Sequence, residues 1–483
     1  MAADRGTVLG PWCVARVAAL ALVAPTLLAA ASPSPAGPAG RWQAIAASPL
    51  AARWPDVVAW AGDRLLVWGG FDRTSQFADG ATYDPRTGTW RRIAASPLSP
   101  RYSTAFAWTG RELILWGGRS CAPSPMSCSS GEELVADGAA YSPASDAWRR
   151  MAATSLLTRS GCSFTQLGQG AWTGRRLLVW GAEQCGDAWT SAGAQYDAAR
   201  DTWLPMAPAP IQPRLDADVT WSGSRMLVWG GFAGGDSPES AASAGAGYDP
   251  VADRWQPIPQ GPLRPRHAIS PVWARGRLFV WGGYALDSGE VFGDGATYDP
   301  ATASWRTLPA SPLSARGYAN LVPVGRDVLV WAGTVPDGSG ATQQPLDGAL
   351  YDVDSGTWLA IPPAPVASTG WAVWAGDRVL TWGNPDEGRG AAWIPPPSLL
   401  PRASSPAAPI AAFPLTALVL LLLVAGTAWA LSRRRRAAAP ATAPAGPTGP
   451  RGGICPACGR QAGPGARFCG SCGTRLDGGD AGQ

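Results

Sequence analysis

The chain has 483 residues, enough for two or three domains and at least one sizeable core. Its 60 Gly, 47 Pro and 26 Trp, with only 15% charged residues, fit many short strands joined by turns. Residues 32–408 carry 29 Arg against 32 acids and residues 432–483 carry 8 Arg against 2 acids, balances of −3 and +6. No stretch of the larger part is basic enough for nucleic acid, so no nucleic-acid partner is expected.

In chain order, Arg5 and Arg16 come first, followed by the short apolar run Val17 to Ala31, which ends in three alanines before a Ser/Pro stretch. Residues 1–31 therefore read as a secretory signal with a small-residue cleavage site, an uncleaved anchor being the alternative. A linker, 32–40, follows.

From residue 41 onward the sequence repeats. A Trp closes an apolar run at 68, 116, 180, 229, 281, 331 and 382, and a second Trp lies 8 residues earlier except at Pro323. A third Trp falls 7 residues after each of Tyr83, Tyr141, Tyr196, Tyr248, Tyr298 and Tyr351. Each unit thus holds four short strands, a to d. The a–b hairpin turns on "WAGDRLLVW" and the c–d hairpin on "YDPRTGTW", where Pro presets φ and Gly tolerates positive φ.

The period of about 50 residues is that of kelch repeats. In its diglycines, its Tyr and the Trp 7 residues later, the chain resembles the kelch-repeat β-propeller family, including galactose-oxidase-like propellers, over residues 41–397. The resemblance implies an all-β, seven-bladed propeller. Gly181-Ala182, Ala332-Gly333 and Gly383-Asn384 break the diglycine and Trp393 stands for Tyr, so looser packing is expected at strand b of those blades. Trp42 is a d-type Trp that precedes any a or b strand, while Trp382 and "AAWIPPP" have no d strand after them. The first strand is therefore expected to complete the last blade and close the ring. On this lattice 21 of the 26 Trp are core between blades, and Trp54, Trp189 and Trp371 fall outside it.

Length variation is confined to the b–c and d–a connections, which emerge on one face of such a disc. Loops on a rigid scaffold are where binding usually sits. The longest is 119–137; the others are "GFAGGDSPESAASAG", "AEQCGDAWTSAG" and "TVPDGSGATQQPLD". Glu132, Glu133 and Trp189 are the candidate binding residues there. Cys121, Cys128, Cys162 and Cys185 are expected in disulfides on an oxidising side. Of three possible connectivities, Cys121–Cys128 and Cys162–Cys185 are favoured.

Catalytic residues are scarce. The single histidine, His267, follows a blade-junction Arg at a place held elsewhere by Tyr102, Leu215 or Gly317, and so reads as a repeat position. Galactose oxidase's copper chemistry needs a pair of histidines, and Ser-His-Asp chemistry lacks a base. No catalytic residue is assigned and the chain is not expected to be an enzyme. The loop acids Glu132, Glu133, Asp187, Asp236 and Glu290 leave one alternative, a carbohydrate-active enzyme using two carboxylates.

A Pro-rich linker, 398–409, leads to Ile410 to Leu431, 22 residues without a charge and long enough to span a membrane. Arg433 to Arg436 follow at once, which places residues 32–408 outside and the tail in the cytoplasm. After a basic, Pro/Ala-rich linker over 432–453, Cys455, Cys458, Cys469 and Cys472 form a C-x2-C-x10-C-x2-C pattern within 454–476, ahead of a short tail, 477–483. Four thiolates with no open position suit structural Zn(II), and the pattern resembles bacterial zinc ribbons. The expectation is a cell-membrane, single-pass protein. Its outward propeller binds a protein or glycan, and its cytoplasmic zinc ribbon docks a partner.

Overall fold

The computed structural model describes residues 39–400, apart from 122–132, 158–161, 167–169, 216–217, 234–243, 286–287, 338–341, 368–370 and 385. The expected signal, membrane span, cytoplasmic tail and zinc cysteines lie outside the described residues. No described helix is long and apolar enough to cross a membrane.

Each repeat folds into one antiparallel sheet. Blade 1 is Val57–Trp60, Leu65–Phe71, Gln76–Asp84 and Thr89–Arg92, hydrogen-bonded in that order. Blades 2 and 3 begin at Ala105–Trp108 and Ala171–Trp172 and end at Ala147–Arg150 and Thr202–Pro205. Blades 4, 5 and 6 run from Asp218–Trp221, Val272–Ala274 and Asn320–Val324 to Arg254–Ile258, Ser304–Thr307 and Thr357–Ile361. Blade 7 combines Ala372–Trp374, Val379–Trp382 and Gly390–Ile394 with the N-terminal strand Arg41–Ala44. In that closure Trp42 pairs with Trp393 and Ala44 with Ala391. Among the described residues the fold is all-β and seven-bladed, with no open edge between first and last blades.

Trp residues hold the blades to one another. The strand-b Trp of every blade is buried to 2% exposure or less. Each packs on the strand-d Trp of the next blade: Trp68 on Trp148, Trp116 on Trp203, Trp180 on Trp255, and so on to Trp331 on Trp42 and Trp382 on Trp90. The d Trp then donates from Nε1 to a carbonyl just past the preceding blade's last strand, as in Trp148 to Ala94 and Trp203 to Ala152, both 2.9 Å. Aromatic area and a satisfied indole N–H thus act at the same junction. Opposite each b Trp, strand c carries glycine. At Gly245, which pairs with Trp229, a Cβ would lie 2.5 Å from the Val228 carbonyl oxygen and 3.0 Å from the Trp229 ring, so any side chain would displace the indole.

The c–d turns place one residue at positive φ. Gly88 and Gly356 fill that position in blades 1 and 6, and Asp146, Asp201 and Asp253 fill it in blades 2 to 4, with φ of 49°, 52° and 46°. Aspartate tolerates this region better than most side chains. Here it also links two blades: Asp201 accepts from the Tyr196 hydroxyl at 2.6 Å and from the Ala152 amide of the blade before at 2.9 Å.

Two expectations are corrected. Strand b is not looser where the diglycine is broken: Trp180, Trp331 and Trp382 are as buried as their counterparts, because the strand-c glycines Gly193, Gly348 and Gly390 are kept. The segment 182–193 is not an irregular loop. Strands b and c of blade 3 run on as Arg176–Cys185 and Ala188–Asp197, a hairpin of two ten-residue strands that turns at Gly186-Asp187.

Candidate functional site

Strand a of each blade lies beside strand a of its neighbours and lines the axis. The chain enters these strands on the loop face, where a repeated polar device sets the surface. Arg53, Arg101, Arg214, Arg266 and Arg316 each stand seven residues before the strand-a Trp position (Pro323 in blade 6), and all are exposed by 2% or less. Four reach an aspartate at the start of strand c: Asp79, Asp137, Asp294 and Asp347, at 2.5, 2.7, 2.8 and 2.8 Å. These pairs pin each d–a loop to its own b–c loop.

The residue after each Arg bridges the segment that follows strand b. Trp54 pairs with Phe71, Tyr102 with Arg119, Leu215 with Phe232, His267 with Tyr284 and Gly317 with Thr334. His267 is therefore a repeat position, as its sequence context indicates. This pairing gathers aromatic rings on the loop face in two arcs. One runs Trp54, Phe71, Tyr102, with ring centroids 5.2 and 5.3 Å apart. The other runs Phe232, His267, Tyr284, Tyr318, at 5.8, 6.0 and 6.0 Å. Its last member is 55% exposed and holds φ at 51°, a strained value for a bulky residue. The Tyr318 amide donates to the Ala268 carbonyl at 2.8 Å, which ties blade 6 to blade 5 in that conformation.

The residues singled out in the sequence fall as follows. Trp189 is half-buried on the outer part of the blade-3 hairpin, opposite Gln184. Glu133 lies in the short strand Glu133–Leu134, which pairs with Arg119–Ser120, while Glu132 lies outside the described residues. Cys162 and Cys185 form a disulfide that joins an extra strand, Cys162–Gln166, to the tip of the same hairpin. Cys121 is also disulfide-bonded; Cys128, its expected partner, lies outside the described residues. The strand of Glu133 contacts the strand Cys162–Gln166, which pairs with the hairpin that carries Trp189. The aromatic arcs escape a sequence reading, apart from Trp54, whose place off the Trp lattice marks it.

Trp371, also off the lattice, lines an axial cavity of about 410 Å³ with Asp218, Thr220, Ser270 and Asn320. A cleft of about 950 Å³ lies on the opposite face, among the a–b and c–d turns of blades 1 to 3. Trp108 and Trp172 form part of its wall. Its Arg149 is already committed, forked onto Glu112 at 3.1 and 2.8 Å and bonded to the Tyr196 hydroxyl.

Glycoside hydrolysis needs two carboxylates across one bond, one of them with a raised pKa. Two described acids are raised. Asp56 goes to about 7 because burial outweighs its bonds from Thr104 and Ser103, and Asp327 to about 6 through burial beside Asp352. Asp56 lies at the loop-face end of blade 1, whereas Asp327 starts strand b of blade 6 on the turn face. They do not form a pair. Glu290, one of the loop acids, is paired with Arg264 at 2.6 Å.

Residues 264–312 match the family described as Kelch motif, and residues 454–476 match the zinc-ribbon domain. The first match contains all of blade 5 together with its Arg266–Asp294 pair; the second contains all four cysteines of the C-terminal pattern. A solved structure described as a novel fungal alcohol oxidase with catalytic diversity among the AA5 family, in complex with copper, is 18% identical with a TM-score of 0.54. The alignment covers 74% of this chain and 77% of that one, a likeness of fold. Another, described as the structure of YjhT, is 14% identical with a TM-score of 0.47, over 66% of this chain and 99% of that one. No curated protein sequence matches the chain.

Proposed function

We propose that this kelch-motif propeller, seven-bladed and followed by a zinc-ribbon sequence, is the extracytoplasmic binding module of a single-pass membrane protein. The signal-like residues 1–31, the uncharged run 410–431 and Arg433 to Arg436 support that topology. So does the Cys162–Cys185 disulfide, since such bonds persist in oxidising compartments. The zinc ribbon then serves as a cytoplasmic docking tail. Cys455, Cys458, Cys469 and Cys472 would hold Zn(II) in a closed tetrahedral set whose role is structural.

One observation carries the binding assignment: exposed Tyr318 is held in a strained conformation at the end of a stacked aromatic arc on the loop face. Rigid aromatic side chains give large contact area at little entropic cost, which suits them to anchoring a protein or glycan partner. The test is to secrete residues 41–400 as bait against panels of glycans and cell-surface proteins, beside a Tyr318→Ala bait. A partner retained by the first bait and lost by the second supports the reading. A partner held equally by both removes the arc from the site.

A further inference from the structure

The axial cavity is not lined evenly around the ring. It draws on the strand-a segments of blades 4 to 7, with Val58 added from blade 1. Three residues before the strand-a Trp position, one level of the wall holds Asp218, Ser270, Asn320 and Trp371 in blades 4 to 7. Val57 and Ala105 stand at that level in blades 1 and 2, and Gln169 of blade 3 lies outside the described residues. Polar side chains on three consecutive blades and an indole on the fourth thus share the loop-face end of the cavity. Toward the turn face the wall is mostly apolar, with the Thr220 hydroxyl set into it.

The polar groups of this wall are left open. Asn320 is only 9% exposed, yet its side-chain amide hydrogen-bonds to no described residue. The Ser270 and Thr220 hydroxyls also have no partner among the described residues. A buried amide is costly to leave unpaired unless water or a ligand answers it. In blades 4 to 7 strand a is the edge of its sheet, so its free backbone N–H and C=O groups add to the polar inventory of the axis. The two indoles are fixed by their packing. Trp371 rests on the cluster that contains Leu380 and Trp382, and Trp374 on the cluster that contains Val379 and Trp393.

We propose that the axial cavity holds one neutral hexopyranose ring, the end of a glycan chain. Its volume of about 410 Å³ falls within the range of small-ligand pockets, about 300–1,000 Å³, which are likewise mostly apolar with a few placed polar groups. A pyranose matches that mixture. The C–H groups on its face lie well against the electron-rich face of an indole, and its rim hydroxyls can both donate and accept. Asn320, Ser270, Thr220 and the Asp218 carboxylate supply the complementary groups. Asp218 is the one charged side chain among the residues lining the cavity, so a neutral sugar is favoured over an anionic one. The inference rests on the reading of the propeller as a binding module, and it narrows the partner from protein or glycan to a glycan. Tyr318 stands two residues before Asn320, so the aromatic arc lies over the same blades as the polar end of the cavity.

The test uses the full chain in a polyoxyethylene detergent, which has no sugar head group, with binding followed by titration calorimetry. The probes are the methyl glycosides of glucose, galactose and mannose, each beside its uronate. At least one neutral glycoside is expected to bind, with its uronate weaker by about tenfold or more. Asn320→Leu and Trp371→Leu should each weaken the neutral sugar by about tenfold, because a hydroxyl or a ring face then loses its partner. Ser270→Ala, the mildest change, should weaken it as well and decides the matter if the other two variants do not fold. A wild-type chain that binds none of the neutral glycosides holds only water in the cavity and overturns the proposal. Equal affinity in the folded variants, or for the uronate, overturns it too. A partner lost by the Tyr318→Ala bait while no glycoside binds would remove this inference and leave the loop-face reading standing.

Discussion

Trp42 donates its Nε1 hydrogen to the carbonyl oxygen of Pro362 at 2.9 Å, across 320 positions of sequence. The same bond recurs at the other six blade junctions over 44 to 54 positions, so the ring closes with the chemistry that builds it. Trp42→Phe removes the bond and keeps most of the ring contact with Trp331, which predicts a loss of about 1 kcal/mol. Trp42→Ala removes both and should cost about 3 kcal/mol or more. Deleting residues 41–50 exposes the Gly390–Ile394 strand as an edge and should abolish cooperative unfolding or cause aggregation. Denaturant titrations check all three, and an unchanged transition in the deletion would mean that the ring closes some other way.

Asp56 makes stability depend on pH in a defined direction. Its Oδ2 is sealed from solvent without a hydrogen-bond partner, and its pKa is raised by burial from 3.8 to about 7. Between those values the folded chain holds a proton that the unfolded chain has released, so stability falls as pH rises through this window and levels off above it. Asp56→Asn removes this dependence. The variant should match wild type near pH 3.5 and exceed it by about 1–3 kcal/mol at pH 8. A wild-type minus variant difference that is flat from pH 4 to 8 contradicts the assignment.

Zinc binding is checked on the C-terminal segment itself. A peptide of residues 445–483 should bind about one Zn(II) and lose its fold with chelator, because metal binding supplies most of the folding free energy of so small a module. Cys469→Ser should abolish binding. Equal zinc content in the two peptides rules the ribbon assignment out.

The blades were legible in the sequence because Trp positions recur at fixed spacings and each one meets the same neighbour in space. The closure was legible too, since Trp42 is a d-type residue with no a, b or c strand before it. What misled was the diglycine: packing at strand b depends on the strand-c glycine opposite the Trp, a cross-strand partner that spacing along one strand does not reveal. The blade-3 extension carried a local signal, Gly186-Asp187 between Cys185 and the strand-forming Trp189-Thr190, hidden inside a length difference. The aromatic arc was not legible. Phe232, His267, Tyr284 and Tyr318 come from separate connections over blades 4 to 6, and only the bridges between d–a and b–c segments bring them together.

The central claim is that the loop face binds and the turn face does not. The most direct measurement is the affinity of one captured partner for three forms of the propeller. One has 120–134 trimmed to a short turn, which keeps Asp137 on Arg101, one carries Tyr318→Ala, and one has Ala61-Gly62-Asp63-Arg64 replaced by Gly-Gly on the turn face. Alanine variants of Glu132, Glu133 and Trp189 extend the loop-face set. The account predicts at least a tenfold loss for the first two forms with the propeller still folded, and no change for the third, since few interface residues carry most of the binding energy. Full affinity in the loop-face variants with loss in the turn-face variant would contradict it and move the site to the cleft lined by Trp108 and Trp172.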